Sequence, residues 1–445
     1  MITLSGRMTP GLDEFMLRLG HLKVLSNIAA ETGGSRRRVE RAFAELLTGD
    51  STVPANEIPA LTEYLYRKRL CVIRAAMPHS RSEEQEEDEQ AVRYPDLVIE
   101  QASDGSLRLT DGTSPVSSAT VWWQDRQLAD PAVPSKVGAV TVSAKSGSKT
   151  GLSHIIDWAE ATGLISTTAQ ASSEARLLAK LDGKCRGELW IDNPYVLGND
   201  RIVLAFLTLD SDLDFFSRFV LALNKVTWPL KKRQAATLFG DTLVQLTDEA
   251  DRVAQLTTRQ KFHLADQLRE LERAARRKGG DIGKVSTTWH RTASRLETYV
   301  DLGILTKTQK NPQERFEYTY YATPALAALA ESLQTECDPT EWLELHLVGG
   351  LLGRPTRQDL LSFDDFREPL LRLLGTISSP TTSYQISALA IGLVRLFADG
   401  QCPISIRCAR TSLEELARSH PEIARLARGT SGQRAEYISL DPRKI

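Results

Sequence analysis

The residues Ser146-Gly147-Ser148-Lys149-Thr150-Gly151 come closest to a phosphate-cradling loop. Such a loop needs a glycine directly before Lys-Ser/Thr and another five positions earlier, so that backbone N–H groups can wrap the phosphates. Ser148 stands in the first place and the upstream glycine is missing, so nucleotide binding is not expected. The same letters hold Ser-x-x-Lys and Lys-Thr-Gly, but overlapped, whereas a nucleophilic-serine site needs them far apart. A magnesium-dependent nuclease would bring carboxylates and a lysine together on adjacent strands. Asp96 opens one strand-like stretch and Lys145 closes another, yet Ser143 occupies the place of the second acid. A nuclease with a degenerate site is therefore only a remote alternative. Five cysteines contain no Cys-x-x-Cys, and seven histidines contain no His-Glu-x-x-His. Neither metal nor cofactor is expected, no catalytic residue is nominated, and the expected protein is not an enzyme.

The charge is unevenly placed. The net value is −2 over 445 residues. Residues 83–89 hold six acids in seven positions, a composition that repels itself and suits a solvated linker. Residues 225–315 hold 18 Lys/Arg and 11 Asp/Glu, a local excess of +7. An odd cysteine count spread along the chain suits a reducing, cytoplasmic setting. No apolar run is long enough to span a bilayer, and the first residues lack the apolar stretch of a secretory signal.

These residues need elements to position them. Apolar periodicity predicts helices over 11–30 and, after Gly33-Gly34, over a segment opened by Arg36-Arg37-Arg38. A third follows over 56–70, then a strand at Cys71-Val72-Ile73. Three cations at a helix start oppose the helix dipole, so a polyanion partner is conceivable there. A β-rich stretch follows the acidic linker. Residues 96–100 and 106–110 flank Ala102-Ser103-Asp104-Gly105 as a hairpin, with further strands at Val121-Trp122-Trp123 and 137–143. Helical text returns over 149–181, and Thr162-Gly163-Leu164-Ile165 turns helix into strand. The runs 188–191 and 202–209 read as apolar strands. Helices are expected over 213–224, 230–243 and 256–278, the last stopped by Gly279-Gly280.

Residues 286–333 are the most specific. Ser286 suits an N-cap, and Trp289, Ala293, Leu296 and Val300 share one helical face. Gly303-Ile304-Leu305 starts a strand, Lys310-Asn311-Pro312-Gln313 a turn, and Phe316–Tyr321 a return strand. Thr323-Pro324 opens another helix. This order resembles the winged helix-turn-helix superfamily, over about 50 residues directly and about 80 with the preceding helix. A second echo pairs Thr247 to Ala254 with Thr323 to Ala330, so 150–256 could hold another such unit with 153–162 as its third helix. Near the C-terminus, a helix over 383–399, a short helix opened by Thr411-Ser412 and strands over 423–428 and 435–440 repeat the theme.

The resemblance implies a third helix in the DNA major groove and a wing on the backbone. Carried onto this chain, it makes Ser286, Thr287, Arg291, Ser294, Arg295 and Thr298 groove-facing. Lys307, Lys310, Asn311 and Arg315 would be wing contacts, with Arg276, Arg277 and Lys278 extending the track. The expected fold is mainly α with small β-hairpins and sheets. Its parts are a helical domain (1–80), an acidic linker (81–92), a β-rich subdomain (93–148), a possible winged-helix-like unit (149–255), a winged-helix domain (256–335) and a C-terminal helical domain with a hairpin (336–445). The expected function is non-enzymatic binding of double-stranded DNA, as a regulator or recognition subunit. The alternative is a scaffold whose winged helices bind other protein subunits of a DNA-processing or phage-defence assembly.

Overall fold

The computed structural model describes residues 4, 19–32, 35–46, 149–180, 197–253, 256–309, 318–377, 383–428 and 435–445, and between 47 and 148 only seven short strands. The architecture is mainly helical with small antiparallel sheets.

The chain opens with α1 (Leu19–Thr32) and α2 (Arg36–Leu46). The strands β1 (Ser51–Val53), β2 (Val72–Ala75), β3 (Val98–Gln101), β4 (Leu107–Thr110), β5 (Ala119–Trp123), β6 (Arg126–Ala129) and β7 (Val140–Val142) follow. The expected hairpin pairs Val98 with Thr110 and Gln101 with Leu107. β1 pairs with β7, so the intervening stretch leaves and returns at one place. Then come α3 (Lys149–Ala161) and α4 (Ser173–Lys180). Both pack with α1, and α4 packs as well with the long helix over 200–223 and with the helices over 363–377 and 386–397.

α5 (Asp200–Leu223) contradicts the strand expected over 202–209. That run is buried at nearly every position, so it lacks the polar face whose period would mark a helix. After β8 (Leu230–Lys231) come α6 (Lys232–Arg252), α7 (Thr258–Arg276), a 3-10 turn at Ile282–Lys284 and α8 (Ser286–Asp301). β9 (Leu305–Gln309) and β10 (Tyr318–Ala322) form the hairpin strands, and α9 (Pro324–Ser332) closes the set. Thr247 sits inside α6, so the expected echo with Thr323 is not a second helix start. α10 (Pro339–Leu345) and α11 (Leu347–Leu352) lead to α12 (Phe363–Ile377), β11 (Ser383–Gln385), α13 (Ile386–Phe397), α14 (Ile406–Ser419), β12 (Ala424–Arg428) and β13 (Ala435–Leu440). α14 starts at its Ser405 cap, earlier than the Thr411 expected.

One path recurs. Helix, strand, helices, strand, strand describes both 200–322 and 363–440. The strand order is β8-β10-β9 in one and β11-β13-β12 in the other, so the first strand pairs with the last in each. Residues 149–180 repeat part of it. Gly163 (φ 72°) and Gly303 (φ 75°) end α3 and α8 in the left-handed region that glycine enters freely. Leu164 N–H then donates to Ala159 O, as Ile304 N–H does to Tyr299 O, both at 2.9 Å. Ser172 N–H returns to Leu164 O and Thr323 N–H to Ile304 O, just before α4 and α9 begin.

The three sets share one hydrophobic core. A single carboxylate joins them. Asp200, at the start of α5, lies 2.6 Å from Lys23 Nζ of α1 and 2.5 Å from Arg395 Nε of α13, all three side chains almost wholly buried. Nearby, α1 N-terminal Leu19 N–H donates to Asp301 Oδ2 of α8 at 2.7 Å.

Removing one member of a buried charge group leaves the others uncompensated, at about 3–5 kcal/mol. Asp200→Asn is expected to lose that order of stability in urea unfolding, while Lys23→Met/Asp200→Leu/Arg395→Met recovers most of it. An Asp200→Asn protein as stable as the parent would show that this carboxylate does not hold the three sets together.

Burial pushes the Glu174 carboxyl of α4 above its ordinary range, against the hydroxyls of Ser172 and Ser387. The unfolded chain therefore ionises first as pH rises, and the stability contributed by the neutral acid is lost above the usual glutamate range, about 4.3. Glu174→Gln is expected to be more stable than the parent at neutral pH, with the difference vanishing below about pH 4. Thermal unfolding across pH measures it.

Candidate nucleic-acid interface

α8 carries the residues expected to read a DNA groove, and it is an interior helix. Its apolar stripe is buried as the spacing requires, with Leu296 at 0% exposure. Its other face is buried too. Ser294, Arg295 and Thr298 are exposed by no more than 3%. α8 is packed by α1, α6 and β9, and it touches α5 through Tyr299, whose ring lies 5.5 Å from Phe216 and 5.8 Å from Phe219.

Ser294, Arg295 and Thr298 of that face are matched inside. The Arg295 guanidinium donates to both oxygens of Asp212 and lies 3.8 Å from the Phe215 ring centre. Asp212 sits where α5 kinks, at φ −133°. Ser294 Oγ donates to His290 O and Thr298 Oγ1 to Ser294 O, each at 3.1 Å, satisfying the hydroxyls along the helix itself. Lys307 of β9, expected as a wing contact, is 5% exposed and donates to Glu297 Oε2 at 2.7 Å. Tyr320 OH donates to the other oxygen of Glu297 at 3.1 Å. Ser294, Arg295, Thr298 and Lys307 therefore do not face a groove. A buried arginine whose carboxylate partner is 83 residues away has no local sequence signature.

Arg291 lies nearer the surface and pairs with Glu270 of α7 at 3.0 Å. Ser286 and Thr287 fall in the first turn of α8, and the placement of their side chains lies outside what is described. Lys310, Asn311 and Arg315 lie outside the described residues, as do Asp96, Lys145 and Ser146.

The remaining candidates, Arg276, Arg277 and Lys278, are fully on the surface. They end α7, and Gly279 and Gly280 (φ 75° and 84°) turn the chain back toward α6. The turn is held by Asp281, which accepts from Arg233 at 2.5 Å and from the Gly283 N–H at 2.9 Å. Gly283 is a close approach: a Cβ there would lie 2.6 Å from Thr237 Oγ1 and 3.1 Å from Arg233 O. The end of α7 is thus brought to the start of α6. Lys231, Lys232 and Arg233 join Arg273, Arg276, Arg277, Lys278 and Lys284 at one exposed corner. Lys232 Nζ rests 5.0 Å from the Trp289 ring centre. The acids in these segments are Glu272 and Asp281. Sequence reading found the second half of this corner but missed its first, because Lys231–Arg233 is about 45 residues earlier.

The other two helices that precede a hairpin are engaged as well. On α14, Arg407 pairs with Glu341 at 2.9 Å and Arg410 with Glu344 at 3.3 Å, both acids on α10. Arg36 of α2 pairs with Asp157 and Glu160 of α3 at 3.1 and 2.8 Å and with Glu40 of its own helix at 3.0 Å; Glu40 first, then Asp157, raise the Arg36 pKa above its ordinary value. Among the described residues no cluster of His, Cys, Asp and Glu could hold a metal ion, and no helix is long and apolar enough to cross a membrane. Comparison with protein-family models, curated proteins and solved structures finds no match.

Two arginines of α8 separate interior from surface. Arg295→Ala is expected to cost about 3–5 kcal/mol in urea unfolding, because Asp212 is left charged and buried. Arg291→Ala, whose partner Glu270 is solvated, is expected to cost about 0–1 kcal/mol. Equal, small losses would put Arg295 on the surface.

Proposed function

We propose that the chain is a non-enzymatic scaffold built from winged-helix units, a subunit that joins protein partners in a DNA-processing assembly. The repeated path supports the winged-helix part: helix, strand, helices, then two strands, with the first strand paired to the last. In the region 200–322 the path is lengthened by α7, between the second and third helices of the unit. In 363–440 it runs without insertion.

One observation carries the scaffold reading. The third helix of each unit, the part that would enter a groove, is spent on the protein itself. α8 is enclosed, α14 is crossed by the acids of α10, and α3 is bound by Arg36. A helix whose cations are neutralised within the chain offers no free bidentate donors to a guanine edge.

A surface suited to protein remains open. β12 is an edge strand in its sheet, with Arg425, Leu426 and Ala427 exposed, and Tyr437 stands opposite Ala427. Leu426 and Tyr437 are each 38% exposed, among the few large apolar side chains of the described residues that reach solvent. An uncovered edge with apolar neighbours is a ready template for a partner.

The second reading, binding of double-stranded DNA, is favoured by the basic corner and not by α8. The two readings part over sequence preference. A selection from random duplexes, read by deep sequencing, is expected to return no consensus. Enrichment of a defined site would overturn the scaffold reading and restore a sequence-reading regulator.

A further inference from the structure

We infer that the corner formed by Lys231, Lys232, Arg233, the last turn of α7 and Lys284 binds the phosphate backbone of double-stranded DNA without reading its bases. This does not rest on the scaffold reading: the corner borders the third helix through Trp289 and the hairpin through β8, but its cations belong to neither.

Eight exposed cations meet here against two carboxylates, Glu272 and Asp281. The two halves of the corner have different local explanations. Arg273 and Arg276 sit at the C-terminal end of α7, where positive charge complements the helix dipole. Lys232 and Arg233 open α6, where positive charge opposes the dipole, and no acid stands in that first turn to offset it. Helix stability therefore explains the first group but not the second. What both groups share is a place on the surface.

That place is fixed. Asp281 ties Arg233 at 2.5 Å and Lys284 at 3.7 Å, so the return of the chain cannot drift from α6. Trp289 supports Lys232 from below. Glu270, one turn before Arg273, is already paired with Arg291 and does not neutralise the corner. Arg276, Arg277 and Lys278 project beyond it. A surface of this kind holds a polyanion by counterion release, since duplex DNA presents one negative charge per about 1.7 Å of axis. The exposed donors are arginines and lysines on helix ends, suited to phosphate oxygens. The cations stand at helix ends and in the turn between them, so contact is with the backbone.

The test is fluorescence anisotropy of a labelled mixed-sequence duplex with the full chain. Binding is expected near 50 mM salt and should fall by about a thousandfold near 200 mM, as for roughly six phosphate contacts. Arg276→Ala/Arg277→Ala/Lys278→Ala is expected to lower the salt slope by about three and weaken binding to every sequence alike. Arg372→Ala/Arg443→Ala/Lys444→Ala removes the same charge from exposed sites elsewhere and is expected to leave both unchanged. The corner is refuted if the first triple variant binds like the parent, if the second weakens binding as much, or if the parent does not bind at low salt. Binding that differs among unrelated duplexes would overturn the backbone-only mode.

Discussion

Asp200 is the constraint on which the arrangement turns. It begins α5 and takes Lys23 from α1 and Arg395 from α13, three charges with almost no solvent between them. The desolvation of three buried charges is costly, and their mutual attraction offsets it only when the geometry is held. That requirement acts as a registration mark. Apolar packing would tolerate several ways of laying α1, α5 and α13 together, because dispersion and burial are not directional. One carboxylate between two cations tolerates far fewer. Leu19 N–H on Asp301 and Arg201 on the carbonyls of Leu302 and Leu351 extend the same logic along the shared core.

The polar face of α8 is covered from within its own set. In an isolated three-helix unit the third helix has a solvent side. Here α5 and α7 reach that side, and its polar residues must find partners or cost the full desolvation of a buried group. Arg295 meets Asp212 at the kink of α5, Glu297 meets Lys307 and Tyr320, and the hydroxyls bond back to their own helix. The polar stripe is satisfied rather than displayed.

This also decides what could be read from the sequence. The stripe Trp289, Ala293, Leu296 and Val300, the strands 424–428 and 435–440 and the helix from Pro324 are local patterns, and each is where its periodicity places it. The other face of α8 is not legible in the sequence, for a physical reason. Helical periodicity says which residues face a helix's apolar core, but not whether another helix covers the rest. Arg295 and an exposed arginine look alike until Asp212 is brought beside it. The run from Ile202 to Leu209 failed in the opposite way, because burial on all sides erased the polar positions that announce a helix. The letters around Thr247 and Thr323 do not carry the repeat, which lies in the backbone at Gly163 and Gly303. Two glycines and a returning N–H keep a path that the surrounding residues do not spell alike.

The +7 block of residues 225–315 is the sharper lesson, since it is not one feature. Arg295 and Lys307 belong to it and are interior charges, each cancelled by a carboxylate. Arg291 is half withdrawn onto Glu270. Most of what remains outside among the described residues is drawn from α7, the helix that lengthens the second unit, and from Lys231, Lys232 and Arg233, which enter and open α6 beside it. The corner therefore depends on the added helix. Without α7 and the glycine turn after it, Lys231 to Arg233 would stand alone, unfavourably placed on a helix start. With them, the same cations become part of a surface. An insertion between second and third helix lies on the outside of a unit whose core is already closed, so it can change what the protein touches without disturbing Asp200 and the packing around it.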